Sequence, residues 1–212
     1  MLSRYLTVKQ TGQHEIEIKK SRFICTLARV ESEDHAKQLV QDIKKEHWKA
    51  SHNCSAFTIG ERQEIQRSSD DGEPAGTAGI PMLEILKKRQ LVNTLAVVTR
   101  YFGGTELGKG GLIRAYGGVV AEALEVIGVV EGRLQQEIMI TIDYSNHGKM
   151  ENFIEQSSYL IKHIEFTDKV AITCMVDEDK VETFQQEVIN VLKGQGTIIL
   201  GEKKYHESDY HS

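Results

Sequence analysis

The chain has 212 residues, of which 40% are apolar and 27% charged, and it carries a formal net charge of −5. That composition describes a globular protein of one large domain or two small ones. No run reaches the length of a membrane span, and MLSRYLTVKQ lacks the apolar core of a signal peptide, so a cytoplasmic location is expected. Cys25, Cys54 and Cys174 are odd in number and form no CxxC, which sets aside a disulfide framework and a zinc knuckle.

Charge is unevenly divided. Up to Glu131 there are 18 basic and 17 acidic side chains; from Gly132 onward there are 8 against 14. A protein that holds nucleic acid by bulk electrostatics is basic. The second part therefore disfavours such a role, and the first allows only a local patch.

In chain order, His14 to Lys19 alternates polar and apolar residues, and Arg22 to Val30 continues as strand. Ser32 is an N-cap for a helix through about His47, with Glu33 and Asp34 in its first turn. Cys54 to Ile59 and Glu64 to Ser68 form a hairpin around Gly60. Pro81 sits in the first turn of a short helix, Leu95 to Thr99 is a buried strand, and Leu112 to Ile127 is a long amphipathic helix. The remainder gives strand Glu137–Tyr144, a helix to Gln156 opened by Asn146, strands Tyr159–Phe166 and Val170–Val176, helix Asp179–Leu192 and strand Thr197–Leu200. That β-α-β-β-α-β order is the ferredoxin-like pattern. The expected domains are 1–133 and 134–201, both α+β in content, followed by a polar, frayed tail at 202–212.

Glycines concentrate between Ser69 and Gly117, where backbone must reach positive φ or be touched directly. Gly103 to Gly110 matches seven places of the phosphate loop GxxxxGK, but the eighth is Gly110 instead of the Ser or Thr that binds magnesium. No Walker-B-like strand follows, so a nucleotide-hydrolysing role is set aside. Backbone N–H groups of Gly108, Lys109, Gly110 and Gly111 at a helix start, beside Gly103 and Gly104 and with Arg100 and Arg114 near, would cradle a phosphate or carboxylate. The alternative is that the glycines only permit a tight fold, the arginines being solvated or paired with Glu106 and Asp71.

Asp70, Asp71 and Glu73 make a short acidic cluster followed by Thr77. Hard cations want such oxygens, yet the spacing is not an EF-hand and Asp-Asp-Gly is an ordinary turn. The loop is expected to position the arginines, with no metal and no cofactor bound. His52 and Cys54 share a strand face, an arrangement by which an imidazole lowers a thiol pKa; they are the catalytic candidates of an alternative hydrolase or transferase reading, as is an acidic metal site. Trp48, Tyr101 and Phe102 are read as core or hinge aromatics, since no RNP-like pattern accompanies them.

These segments carry a resemblance. Lys20-Ser-Arg-Phe-Ile24, His52-Asn-Cys54, Ser69 to Gly79, and Val97 to Gly104 followed by Leu107-Gly and Gly110 to Gly117 are similar to the YigZ/IMPACT family over the full length. The resemblance implies two domains: the first like the second domain of a small-subunit ribosomal protein and domain IV of elongation factor G, the second like its ferredoxin-like domain V. Eukaryotic relatives bind a ribosome-associated activator and so restrain a stress kinase, through an additional N-terminal domain; the kinase role is not carried over. What the resemblance implies here is a non-enzymatic link to translation, with RNA, ribosome or a translation-related protein as partner and no membrane. The oligomeric state is left open.

Overall fold

Alternating apolar residues build the first sheet of this computed structural model, which describes residues 2–211. Strands β2 (Gly12–Ile18), β3 (Ser21–Arg29), β4 (His52–Ile59), β5 (Ile65–Ser69) and β6 (Thr94–Tyr101) lie in the order β2-β3-β6-β4-β5. The four pairings are antiparallel. Residues two apart share a face. Phe23, Cys25 and Leu27, Ala96 and Val98, and Cys54 and Ala56 therefore turn one way, against α2 (Gly79–Lys88) and α3 (Gly108–Ile127). Phe57, Ile59, Leu95 and Val97 turn the other way, against α1 (Glu33–Glu46). The sheet is thus covered on both faces, and β6, its central strand, is buried up to Arg100.

Local signals set the helix starts. Ser32 Oγ accepts from the His35 N–H at 3.1 Å and caps α1. α3 begins at Gly108, four residues before the apolar periodicity becomes visible at Leu112, because glycines give that first turn no hydrophobic pattern.

By contacts the chain divides into two units. One comprises Tyr5–Glu131 with the residues from Ser208 onward, and the other Leu2–Arg4 with Gly132–Glu207. In the first, β1 (Arg4–Val8) leads to Lys9, whose N–H donates to Gly128 O at 2.9 Å. In the second, β7 (Val129–Ile142), α4 (Tyr144–Glu155), β8 (Leu160–Phe166), β9 (Val170–Asp177), α5 (Val181–Leu192) and β10 (Thr197–Tyr210) follow the β-α-β-β-α-β order. Strand β7 pairs with β9 and β10, and β9 with β8, which gives the 10-7-9-8 arrangement of a ferredoxin-like sheet. Ile138, Ile140, Val170, Ile172, Phe184 and Val188 form its core.

Two expectations need correction. The segment after Gly201 is not a frayed tail: β10 runs on to Tyr210. Its polar residues are tied down individually. Gln136 Nε2 donates to Gly201 O at 2.7 Å, Lys203 pairs with Glu178 at 2.6 Å, and Tyr205 Oη donates to Leu2 O at 2.7 Å. Asn146 does not cap α4; it lies inside the helix and donates to Gln195 Oε1 at 3.1 Å. Among the described residues, no helix is long and apolar enough to cross a membrane.

Candidate functional site

Strand register builds the centre of the site. Arg100 on β6 has His52 of β4 as its partner on one side and Phe23 of β3 on the other. These three side chains continue the row that faces α2 and α3, but at the end of the sheet, where the apolar rows stop. The Ser69–Gly79 loop and α3 close over them. Arg100 Nη1 donates to Glu73 Oε1 at 2.7 Å, and Tyr116 Oη of α3 donates to the same oxygen at 2.6 Å. Arg100 Nη2 reaches Ser21 Oγ at 3.3 Å. The guanidinium lies over the Phe23 and Phe102 rings, 5.3 and 5.5 Å from their centroids. Its Nε is buried and has no hydrogen-bond partner among the described residues. Burial pushes the Tyr116 phenol far up, with Cys54 and Glu73 adding to it, so Tyr116 remains a donor.

His52 completes the cluster. Its Nδ1 lies 2.9 Å from Asp71 O, and since a carbonyl only accepts, Nδ1 carries the proton. Nε2 then faces Glu73 Oε2 at 3.7 Å.

The acidic loop is consumed by the protein itself. Asp70 accepts from the N–H groups of Gly76, Ala78 and Gly79 at 2.9, 3.2 and 2.9 Å, capping α2. Desolvation raises its carboxyl, but the three N–H groups outweigh that and hold it below the usual value. Asp71 takes Lys44 Nζ at 2.6 Å and the Asn53 N–H at 2.7 Å. Thr77 Oγ1 donates to Pro74 O at 2.6 Å. Among the described residues, no group of three or more His, Cys, Asp or Glu is placed to hold a metal ion.

His52 and Cys54, the candidates of the alternative enzymatic reading, do share a face, and their surroundings disfavour a thiolate. Cys54 is fully buried and its Sγ donates to Asp70 O at 3.0 Å. Burial pushes the thiol up to about 12, with Glu73, Asp71 and Asp70 pushing the same way. A thiol so placed is no nucleophile at neutral pH.

Of the residues expected to meet an anion, Arg100 is the exception: it is buried and paired with Glu73, and it borders open space only as part of the lining of a cleft at this end. Lys109 and Arg114 are exposed on the first turns of α3, with Gly104, Gly108 and Gly110 exposed beside them. Its N-cap residue, Leu107, offers no capping side chain, and its first turn holds no acidic residue. Gly103 is required by close approach, since a Cβ there would lie 2.1 Å from the Lys20 carbonyl carbon. Its N–H donates to Ser21 Oγ at 3.1 Å. Gly108 sits at φ +71, and Gly111 lies in the turn behind it.

Sequence reasoning missed several neighbours. Lys19 and Lys20 form the two-residue β2–β3 turn at φ 47 and 66, where Asn-Gly would be usual, and both are exposed. Trp48 and Phe102 are not core aromatics: they are 73% and 52% exposed. The Phe102 N–H donates to Ser51 Oγ at 3.2 Å, and Lys49 Nζ lies 5.2 Å from the Trp48 ring centroid. Tyr116 carried one signal, its helical spacing from the glycines of the α3 start.

Fold and site together define a two-domain α+β protein with a buried arginine–glutamate pair beneath a glycine-rich, basic end of its first sheet. Known proteins share this layout. The Impact N-terminal domain matches residues 19–124, and a domain of unknown function, DUF1949, matches residues 140–195. The IMPACT family member YvyE of Bacillus subtilis is 51% identical over 207 residues, covering 98% of this chain and 95% of that one. YigZ of Escherichia coli is 36% identical over 180 residues, covering 84% and 88%. The Protein IMPACT homolog of Saccharomyces cerevisiae is 35% identical over 103 residues, covering 46% of this chain and 39% of its own. A crystal structure of a hypothetical protein superposes with a TM-score of 0.60 at 32% identity, covering 95% and 99%. The chain belongs to the IMPACT family, in its bacterial two-domain branch.

Proposed function

We propose that this protein is a non-catalytic, cytoplasmic RNA-binding factor that acts in translation, holding single-stranded or looped RNA of the ribosome at the basic end of its first sheet. One observation carries the reading. Lys19, Lys20, Lys49, Lys109 and Arg114 are exposed there without a carboxylate partner among the described residues, beside exposed Trp48 and Phe102. Cations neutralise phosphates and aromatic faces stack unpaired bases, the combination that holds single strands without reading sequence. The β2–β3 turn, the end of β6, the start of β4 and the start of α3 bring these side chains to one end. The link to translation rests on family membership.

Five cations are few, so binding is weak and salt-sensitive, with log K falling against log salt at a slope of about −3.5 if all five meet phosphates. Cosedimentation with ribosomes across a salt series tests this, wild type beside Lys19→Ala/Lys20→Ala/Lys109→Ala/Arg114→Ala. Arg100 stays intact, because its removal would disturb the fold and not the surface. Salt-sensitive binding that the quadruple variant loses is expected. An absence of binding at low salt, or equal binding by the variant, overturns the reading.

A further inference from the structure

A cleft of about 340 Å³ opens beside this basic end, bounded by Phe102, Pro74 and Leu107 on its apolar side and by Arg100, Gly108 and Lys109 on its polar side. That size is within the range of small-molecule pockets, roughly 300–1,000 Å³. We infer that the cleft seats the terminal nucleotide of an RNA strand, its base against Phe102 and its phosphomonoester at the first turn of α3. The inference rests on the RNA-binding reading and deepens it.

Three sets of donors lack acceptors there. The first turn of α3 follows Leu107, which cannot cap it, and holds no acidic residue, and a helix start offers its N–H groups and a partial positive charge to anions. Lys109 has no carboxylate partner among the described residues. Arg100 lines the cleft, and its buried Nε has no hydrogen-bond acceptor among the described residues. An unmet buried donor is costly, so the guanidinium gains by shifting to meet an acceptor that enters the cleft.

Two carboxylates also line the cleft. The charge of Glu73 is compensated by Arg100 at 2.7 Å, and the same oxygen accepts a hydrogen bond from Tyr116 at 2.6 Å. Glu106 is exposed, without a cation partner among the described residues, and it opposes an anion. A terminal phosphate brings nearly two charges and three acceptor oxygens, where an internal phosphodiester brings one charge. The polar floor also favours an end. Arg100 and Glu73 are buried, so a phosphate that approaches them belongs to a strand terminus or a free nucleotide, while a continuing strand stays on the exposed lysines.

The test is fluorescence anisotropy with one short oligoribonucleotide, labelled internally and carrying a 5′-phosphate, a 3′-phosphate or hydroxyls at both ends. One phosphorylated form is expected to bind on the order of tenfold tighter than the hydroxyl form. Glu106→Gln is expected to widen that advantage, and Lys109→Ala to narrow it. A nucleoside monophosphate is expected to displace the phosphorylated RNA down to the affinity of the hydroxyl form. Equal affinity of all three RNAs, or an advantage that Glu106→Gln and Lys109→Ala leave unchanged, overturns the inference and leaves the RNA-binding reading standing. Failure of every RNA to bind overturns both. Perturbation of the cleft by nucleoside monophosphate alone, without any RNA binding, would assign it to free nucleotides and overturn the strand-end reading.

Discussion

Arg100 and Glu73 form an ion pair inside the first unit, Nη1 to Oε1 at 2.7 Å, with side chains 6% and 3% exposed. Taking both charges out of water is expensive, and their attraction with the hydrogen bonds from Tyr116 and to Ser21 offsets much of that. The pair is therefore weak evidence of net stability but strong evidence of commitment. Removing one partner strands the other. Glu73→Ala is expected to lower unfolding free energy by about 3–5 kcal/mol in urea melts, and Arg100→Met combined with Glu73→Leu to cost clearly less. Near-wild-type stability of Glu73→Ala would mean that the guanidinium finds water easily, and the buried-pair description would fail.

Two glycines of the same segment separate on steric grounds. Alanine at Gly103 would push a Cβ to 2.1 Å from the Lys20 carbonyl carbon, which is backbone and cannot swing aside. Its expected cost is about 1–3 kcal/mol, as for other overpacked positions. Alanine at Gly110 would meet only the Arg114 guanidinium, at 3.4 Å, on an exposed helical turn. There the gain in helix propensity is expected to stabilise by up to about 1 kcal/mol. If RNA rests on that turn, Gly110→Ala is the more stable protein and the weaker binder. Urea melts and anisotropy on the same pair of variants check both halves.

Asp70 ties the acidic loop to α2 and gives stability a pH dependence. Its folded carboxyl titrates below the ordinary 3.8, so the unfolded chain binds more protons in that interval. The contribution is complete above the unfolded value and is lost as pH falls through the lowered folded value. Asp70→Asn is expected to flatten that part of the acid limb in thermal melts between neutral pH and about pH 3. It should also lower the midpoint near neutrality, since a neutral cap accepts less strongly from three N–H groups. An unchanged acid limb would assign acid sensitivity to other carboxylates.

Much of the fold was legible because it follows from local pattern: alternation in β2, β3 and β4, the Ser32 cap, and the strand and helix order of the second unit. The candidate site was legible only in part. The acidic loop was expected to position arginines, and Glu73 does hold Arg100. That Arg100 would be buried was hidden, because its burial comes from β3 and β4 pairing on either side of β6, and no local spacing records such partners. The exposure of Trp48 and Phe102, read as core or hinge aromatics, was hidden for a related reason: an aromatic beside a strand end is core or surface according to what packs on that end. The β10 extension was missed because its side chains are nearly all polar, and its strand state rests on pairing with β7 and on individual anchors such as Tyr205.

The thiols give a sharp check on whether any covalent chemistry resides at the site. Cys54 is pushed up to about 12, mainly by desolvation, and Cys174 to about 11 by burial; burial raises Cys25 further. At pH 8 the thiolate fraction of Cys54 is then on the order of one in ten thousand, and the sulfur is also inaccessible. Iodoacetamide is expected to leave all three cysteines unmodified in the native protein over an hour-scale exposure and to modify all three once urea unfolds it, as read by intact mass. Rapid, selective labelling of native Cys54 near neutral pH would require a thiolate that this geometry forbids. His52 would then have to act on the thiol as well as on Asp71 O, and a transferase or hydrolase would replace RNA binding as the leading account of the protein.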